Sequence, residues 1–210
     1  MPHLILVRHG ISEWNKLGLW TGWKDPELAP EGFEDAKRAG TSLKDIRIDI
    51  AFTADLKRTI STLETIKKEI ENTELETIID KALRERNYGY LAGQNKWKLK
   101  EQYGDEQFMK WRRGWDEPIP NGESLKDVYD RVIPYYKNII LPELHDERNV
   151  LVVASGNSLR ALVKYLESIS DDDIAKLEIG LGEVYVYELS AKGEIISKEI
   201  RAENAEKGKV

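Results

Sequence analysis

The chain has 210 residues, 40% of them hydrophobic and 33% charged, with a formal net charge of −6 and no cysteine. That composition suits one sizeable core, expected as a single domain over residues 1–202 followed by a flexible tail over 203–210, and it excludes a disulfide framework or a thiolate zinc site. The acidic balance argues against a general nucleic-acid or membrane-surface binder but leaves room for a local basic pocket, and the longest apolar runs, LILV and VLVVA, are too short for a membrane span or a signal-peptide core, so a cytoplasmic protein is expected.

In chain order, residues 3–7 (HLILV) read as a buried strand and 48–54 (IDIAFTA) as a second. Leu56, Ile60, Leu63, Ile66 and Ile70 then recur at helical spacing along one face. A short IIDK strand leads into Leu83-Arg84-Glu85-Arg86-Asn87-Tyr88-Gly89. Leu125, Val128, Val132, Tyr136 and Ile140 mark a second helical face, opened by Ser124 as N-cap, with Pro134 predicting a kink. Residues 149–154 (NVLVVA) are a third buried strand, and EVYVYELS and EIISKEIRA flank Ala191-Lys192-Gly193 as a hairpin. Strands alternating with helices predict an α/β domain with a mostly parallel sheet plus an antiparallel edge strand from the hairpin.

Ligands of open α/β sheets bind at the carboxyl ends of the strands. The residues placed there are Arg8-His9-Gly10 with Ser12 and Asn15, then Lys57-Arg58, the segment around Glu85, and Ser155-Gly156-Asn157. A neutral imidazole at a strand end can accept a phosphoryl group. Phosphoryl transfer then asks mainly for position and positive charge, for which Arg8, Arg58, Lys96, Arg112 and Arg113 are candidates. Alone, His9 favours a structural core histidine, Glu85 between two arginines favours a surface ion pair, and Arg112-Arg113 fits a solvated helix face as well as a clamp. Trp20, Trp23 and Trp111 read as packing.

The surrounding pattern reverses these bland readings. The segments VRHGISEWN, WTGWKDPEL, AFTADLKRT, LRERNYGYLAGQNK, YGDEQFMKWRRG, PNGESLKDVYDRVIPYY and GNSLRALVKYL, in this order and over nearly the whole chain, resemble the histidine phosphatase superfamily and within it the cofactor-dependent phosphoglycerate mutases. The resemblance implies a three-layer sandwich and the interconversion of 3- and 2-phosphoglycerate, with 2,3-bisphosphoglycerate as the cofactor that phosphorylates the enzyme and with no metal. It implies that His9 is the phosphorylated nucleophile, that Arg8 and Arg58 bind its phosphoryl group with Asn15, Gly156 and Asn157 beside them, and that Glu85 is the proton donor and acceptor. Tyr88, Lys96, Arg112 and Arg113 match residues that hold the substrate's carboxylate and far phosphate, and Thr21 and Gly22 match a turn that contacts it. Superfamily phosphatases share the His and Arg core with less need of Lys96 and the paired arginines, and a phospho-ligand-binding protein with little turnover is a third reading.

Three departures stand out. No insertion separates Gly114 from the Asn121-Gly122-Glu123-Ser124 block, the short form, for which a monomer or homodimer is expected. Leu181 and Glu183 fall where the family has a Thr-Gly-Val-Pro turn. Ser155 stands where the family's turn carries a second histidine, and the remaining histidines, His3 and His145, are not placed to replace it.

Overall fold

A computed structural model describes residues 1–205 and 207; of the expected tail, 206 and 208–210 lie outside the described residues. Six strands form one sheet in the order β3-β2-β4-β1-β5-β6, with β1 at His3–Arg8, β2 at Ile50–Thr53, β3 at Thr77–Ile79, β4 at Val150–Ala154, β5 at Val184–Leu189 and β6 at Ile195–Arg201. The pairs β3–β2, β2–β4 and β4–β1 are parallel. The expected antiparallel edge is the hairpin: β5 runs antiparallel to β1, and β6 antiparallel to β5.

The central strands are apolar on both faces because both faces are covered. Alternate residues of one strand enter different cores: Leu4 and Leu6 pack with Phe52, Val152 and Val128, while Ile5 and Val7 pack with Ala51, Leu151 and Leu63. Helices α2 (Pro30–Thr41) and α3 (Lys57–Glu69) cover the second face, after a short α1 at Glu13–Lys16. The first face is covered by α5 (Leu125–Tyr135), α6 (Leu141–His145) and α7 (Gly156–Leu166). This is the three-layer sandwich that the sequence implies. Between the layers and the ligand crevice runs α4 (Lys96–Arg113), interrupted at Gly104, whose φ of 81° is open to glycine and strained for other residues.

Ser124 caps α5 through its hydroxyl, which accepts from the Asp127 N–H. In place of a simple kink at Pro134, the chain passes from α5 through a π-helical turn at Tyr136–Ile140 into α6. Proline lacks the N–H that would bond to the carbonyl four residues back, and a widened turn is one way to accommodate that defect. Beyond β6, Asn204 Nδ2 donates to the Leu181 carbonyl at 2.8 Å and Lys207 Nζ pairs with the fully buried Glu183 carboxylate at 2.8 Å.

Candidate active site

The carboxyl ends of β1, β2 and β4 open into one crevice of about 670 Å³, part of it exposed to solvent. His9 follows β1 directly, its N–H bonded to the Ala154 carbonyl at 3.1 Å. Gly10 comes next because a Cβ there would lie 2.1 Å from the Gly32 carbonyl oxygen, so the turn can press against the start of α2 only without a side chain. The His9 ring is buried. Its Nδ1 lies 2.7 Å from the Gly10 carbonyl oxygen, a geometry that assigns the proton to Nδ1 and leaves Nε2 as the unprotonated nitrogen. Burial, then the positive fields of Arg58 and Arg8, hold the imidazole well below its ordinary pKa of 6.5, so it is neutral at pH 7.

Arg58, at the start of α3, lies buried beside it and donates from Nε to His9 Nε2 at 3.3 Å. The guanidinium is fixed from behind by the Gly22 and Lys24 carbonyls, at 2.8 and 3.0 Å. Arg8 donates from Nη1 to the Ile179 carbonyl at 2.6 Å, while its Nε is buried with no hydrogen-bond partner. A backbone-anchored guanidinium with an unused buried donor is suited to an incoming oxyanion.

Across the crevice stands Glu85. Its Oε1 accepts from the Arg86 N–H at 2.6 Å and from Asn157 Nδ2 and N–H at 2.9 and 3.3 Å. Three donors on one oxygen leave Oε2 as the atom on which a proton can be exchanged. The Glu85 carbonyl is clamped by Trp23 Nε1 at 2.8 Å and Arg131 Nη2 at 3.0 Å. Arg131 also pairs with Glu123, whose Oε2 takes the Asn87 N–H at 2.8 Å, so one ion pair grips the strand-to-site segment at both ends. Asn157 Nδ2 further donates to the Tyr88 hydroxyl at 2.8 Å, and its Oδ1 accepts from Arg160 Nη1 at 2.9 Å, which fixes which end of the amide faces Glu85.

The remaining predicted residues converge as well. Asn15 accepts from the Ser12 N–H and hydroxyl through Oδ1, which turns its Nδ2 into the donor for the crevice. Thr21 and Gly22 form one wall, and Lys96, Arg112 and Arg113, at the two ends of α4, form the far end. The break at Gly104 separates those ends. Ser155 is the exception: it caps α7 through its backbone, its side chain makes no capping bond, and its Oγ is buried with no partner beneath Gly156, which does line the crevice. Two charged lining residues escaped the sequence reading. Arg160 lies one helical turn after Asn157, a spacing that could have flagged it, and burial brings it down to about 9. Glu178 carries no motif at all.

Lys96 has consequences for pH. Burial, then the field of Arg112, lowers it to about 8, so in the ligand-free protein its charge fades as pH rises through that value. Affinity for a doubly anionic ligand is therefore expected to fall between pH 7 and 9, and Lys96→Met to flatten that slope. Titration calorimetry across the range checks it; a parent slope retained in the variant assigns the titration elsewhere.

The arrangement can be set against known proteins. Residues 4–199 match the profile of the histidine phosphatase superfamily, branch 1. A 2,3-bisphosphoglycerate-dependent phosphoglycerate mutase of Cytophaga hutchinsonii is 51% identical over 192 residues, 91% of this chain and 90% of that one. A phosphoglycerate mutase of Schizosaccharomyces pombe is 48% identical over 199 residues, 94% of both chains. Among solved structures, a Bacillus anthracis phosphoglycerate mutase superposes with a TM-score of 0.75 at 25% identity, covering 96% of this chain and 93% of that one. A mycobacterial glucosyl-3-phosphoglycerate phosphatase complexed with VO3 shares the fold, with a TM-score of 0.81 at 24% identity over 95% of this chain and 97% of that one. The profile covers every residue that lines the crevice around His9, and the chain belongs to the histidine phosphatase superfamily.

Proposed function

We propose that this chain interconverts 3-phosphoglycerate and 2-phosphoglycerate through a phosphohistidine at His9. The observation that carries the reading is the presence, within one cationic crevice, of a neutral His9 whose unprotonated Nε2 is met only by the Arg58 guanidinium and of a Glu85 whose Oε2 is left to exchange a proton. The names of the relatives at 48–51% identity support the same activity.

When bound, 2,3-bisphosphoglycerate supplies the phosphoryl group that charges His9. The donor set fits it: Arg8 with its unused Nε, Arg58 and the α7 N-terminus at the His9 end, and Lys96, Arg112 and Arg113 at the far end. His9 Nε2 forms the N–P bond as the P–O bond to the donor's oxygen breaks and Glu85 gives that oxygen its proton, while Nδ1–H stays on the Gly10 carbonyl, which stabilises the ring as it gains positive character. Arg8 and Arg58 take the charge that spreads over the phosphoryl oxygens. In the return step the N–P bond breaks as the free substrate hydroxyl attacks, and the hydroxyl proton passes to Glu85. Regeneration from the other hydroxyl reverses the transfer, Glu85 giving the proton back. Lys96, Arg112 and Arg113 orient the remote carboxylate and phosphate so that either hydroxyl can meet His9.

Two assays test the reading on the unaltered chain. Intact-mass measurement after incubation with 2,3-bisphosphoglycerate should show one added phosphoryl group, and a coupled assay with 3-phosphoglycerate should show 2-phosphoglycerate. Labelling followed only by release of inorganic phosphate would make the chain a hydrolase of small phosphate esters. Absence of labelling would leave a binding protein.

Glu85→Gln separates the two halves of the chemistry. An amide keeps the shape of the carboxylate and cannot take a proton, so isomerisation is expected to fall by about a hundredfold or more. Labelling of His9 should fall far less wherever the leaving group needs little protonation. Equal loss of both would assign Glu85 to binding or folding.

A further inference from the structure

Among the cations of the crevice stands a carboxylate that the proposed chemistry does not use. Glu178 lies before β5, its side chain 22% exposed; it pairs through Oε2 with the Arg113 guanidinium, and its Oε1 lies 3.9 Å from Arg8 Nη1. Each arginine has an anchor besides that carboxylate, Arg8 through its side chain and Arg113 through its backbone. Arg8 Nη1 already donates to the Ile179 carbonyl at 2.6 Å, and the Arg113 carbonyl is held by Arg160 Nη2 at 3.1 Å. The Glu178 backbone is itself held, its carbonyl accepting from the Tyr185 hydroxyl at 3.3 Å. Only the carboxylate end of Glu178 need move for Arg113 to meet a different anion.

We propose that Glu178 is a built-in competitor for the remote anionic group of the ligand. In the ligand-free protein its carboxylate occupies the subsite between Arg113 and Arg8, and it must swing out before the carboxylate of phosphoglycerate can seat there. The inference rests on the proposed function for the identity of that ligand and extends it by naming what sets the affinity. Two like charges cannot share the Arg113 fork without repulsion. The competition therefore falls on ligands with two anionic ends, whereas a lone phosphate beside His9, held by Arg58, Arg8 Nε and the α7 N-terminus, leaves Glu178, which approaches Arg8 only at Nη1, where it is. Glu178 thus weakens binding of the doubly anionic substrate and speeds its release.

The test is calorimetric titration of the whole chain and of Glu178→Gln with 3-phosphoglycerate and, separately, with inorganic phosphate. The variant should bind 3-phosphoglycerate about tenfold more tightly, with little change for inorganic phosphate, and Arg113→Ala in the variant background should remove the gain. Unchanged or weaker 3-phosphoglycerate binding, in a variant that melts at the parent's temperature, overturns the proposal and makes Glu178 a brace for Arg113. Equal tightening for both ligands overturns it too, because that reports the general field of the crevice and no shared subsite. Should the glutamine variant fail to fold, Glu178→Asn makes the same comparison. If inorganic phosphate binds both proteins and 3-phosphoglycerate binds neither, the ligand assignment fails and takes the competitor with it. 3-Phosphoglycerate binding that appears only in the variant supports the competitor.

Discussion

Replacement of His9 by alanine is expected to abolish phosphoryl incorporation from 2,3-bisphosphoglycerate, and with it all isomerisation. His9 is the only imidazole lining the crevice among the described residues, and its unprotonated Nε2 is the nucleophile suited to a phosphoryl group. The Ser12 hydroxyl donates to Asn15 Oδ1 at 2.8 Å and has no base to activate it, and the buried Ser155 Oγ has no partner and does not line the crevice. Intact-mass measurement checks this directly, and labelling that persists in the variant removes His9 from its role. Stability against pH gives a second readout. Because the folded-state pKa lies below the ordinary 6.5, the unfolded chain binds the proton more tightly. The stability tied to a neutral His9 is therefore fully present above pH 6.5 and is lost as pH falls below it towards the folded-state value. His9→Ala should weaken that dependence, measured as melting temperature against pH, relative to the parent.

Ser155→His should raise isomerisation strongly. The present hydroxyl makes no hydrogen bond, so its removal breaks none, and the backbone at φ −91° and ψ 166° accepts any L-residue. A histidine adds a longer donor that can carry positive charge towards phosphoryl oxygens, beside Arg8 and above the N-terminus of α7. One preorganised donor of this kind is worth roughly a hundred- to thousandfold in rate. Anion binding, already served by Arg8, Arg58 and the helix, should change much less. The measurement is the coupled assay on parent and variant side by side, with inorganic phosphate affinity as control. A parent already as fast as the variant, with both folded, would show that another group fills the role.

How much of this could be seen in the sequence depended on where each signal lay. The apolar runs of β1, β2 and β4 announced strands buried on both faces, and the turns after them placed His9, Arg58 and Asn157 from the sequence alone. The face of α3 was legible because Leu63 and Ile66 keep helical register into the core. Helix α4 was not, since its sequence is highly charged and Gly104 resets the phase, so Lys96 and Arg112 belong to no single stripe. The wide turn after Pro134 was visible only as a defect, because a missing N–H tells where a helix is disturbed and not how it recovers. Glu178 was silent for another reason. Its role comes from Arg113, far along the chain, and no local pattern encodes such a meeting, whereas the spacing of Arg160 from Asn157 could have marked it.

The order of the strands bears on how the protein is made. β1 leaves the ribosome first, yet its two neighbours in the sheet are β4, from residue 150, and β5, from residue 184. Until those residues emerge, both edges of β1 lack their partners and the carbonyl of Ala154 that fastens His9 does not exist. Such long-range pairing is slow, since loop closure must precede any gain from contact. A nascent chain arrested before residue 150 therefore lacks the carbonyl that fastens His9 and the burial that keeps its imidazole neutral, and the crevice forms only once the later strands complete the sheet.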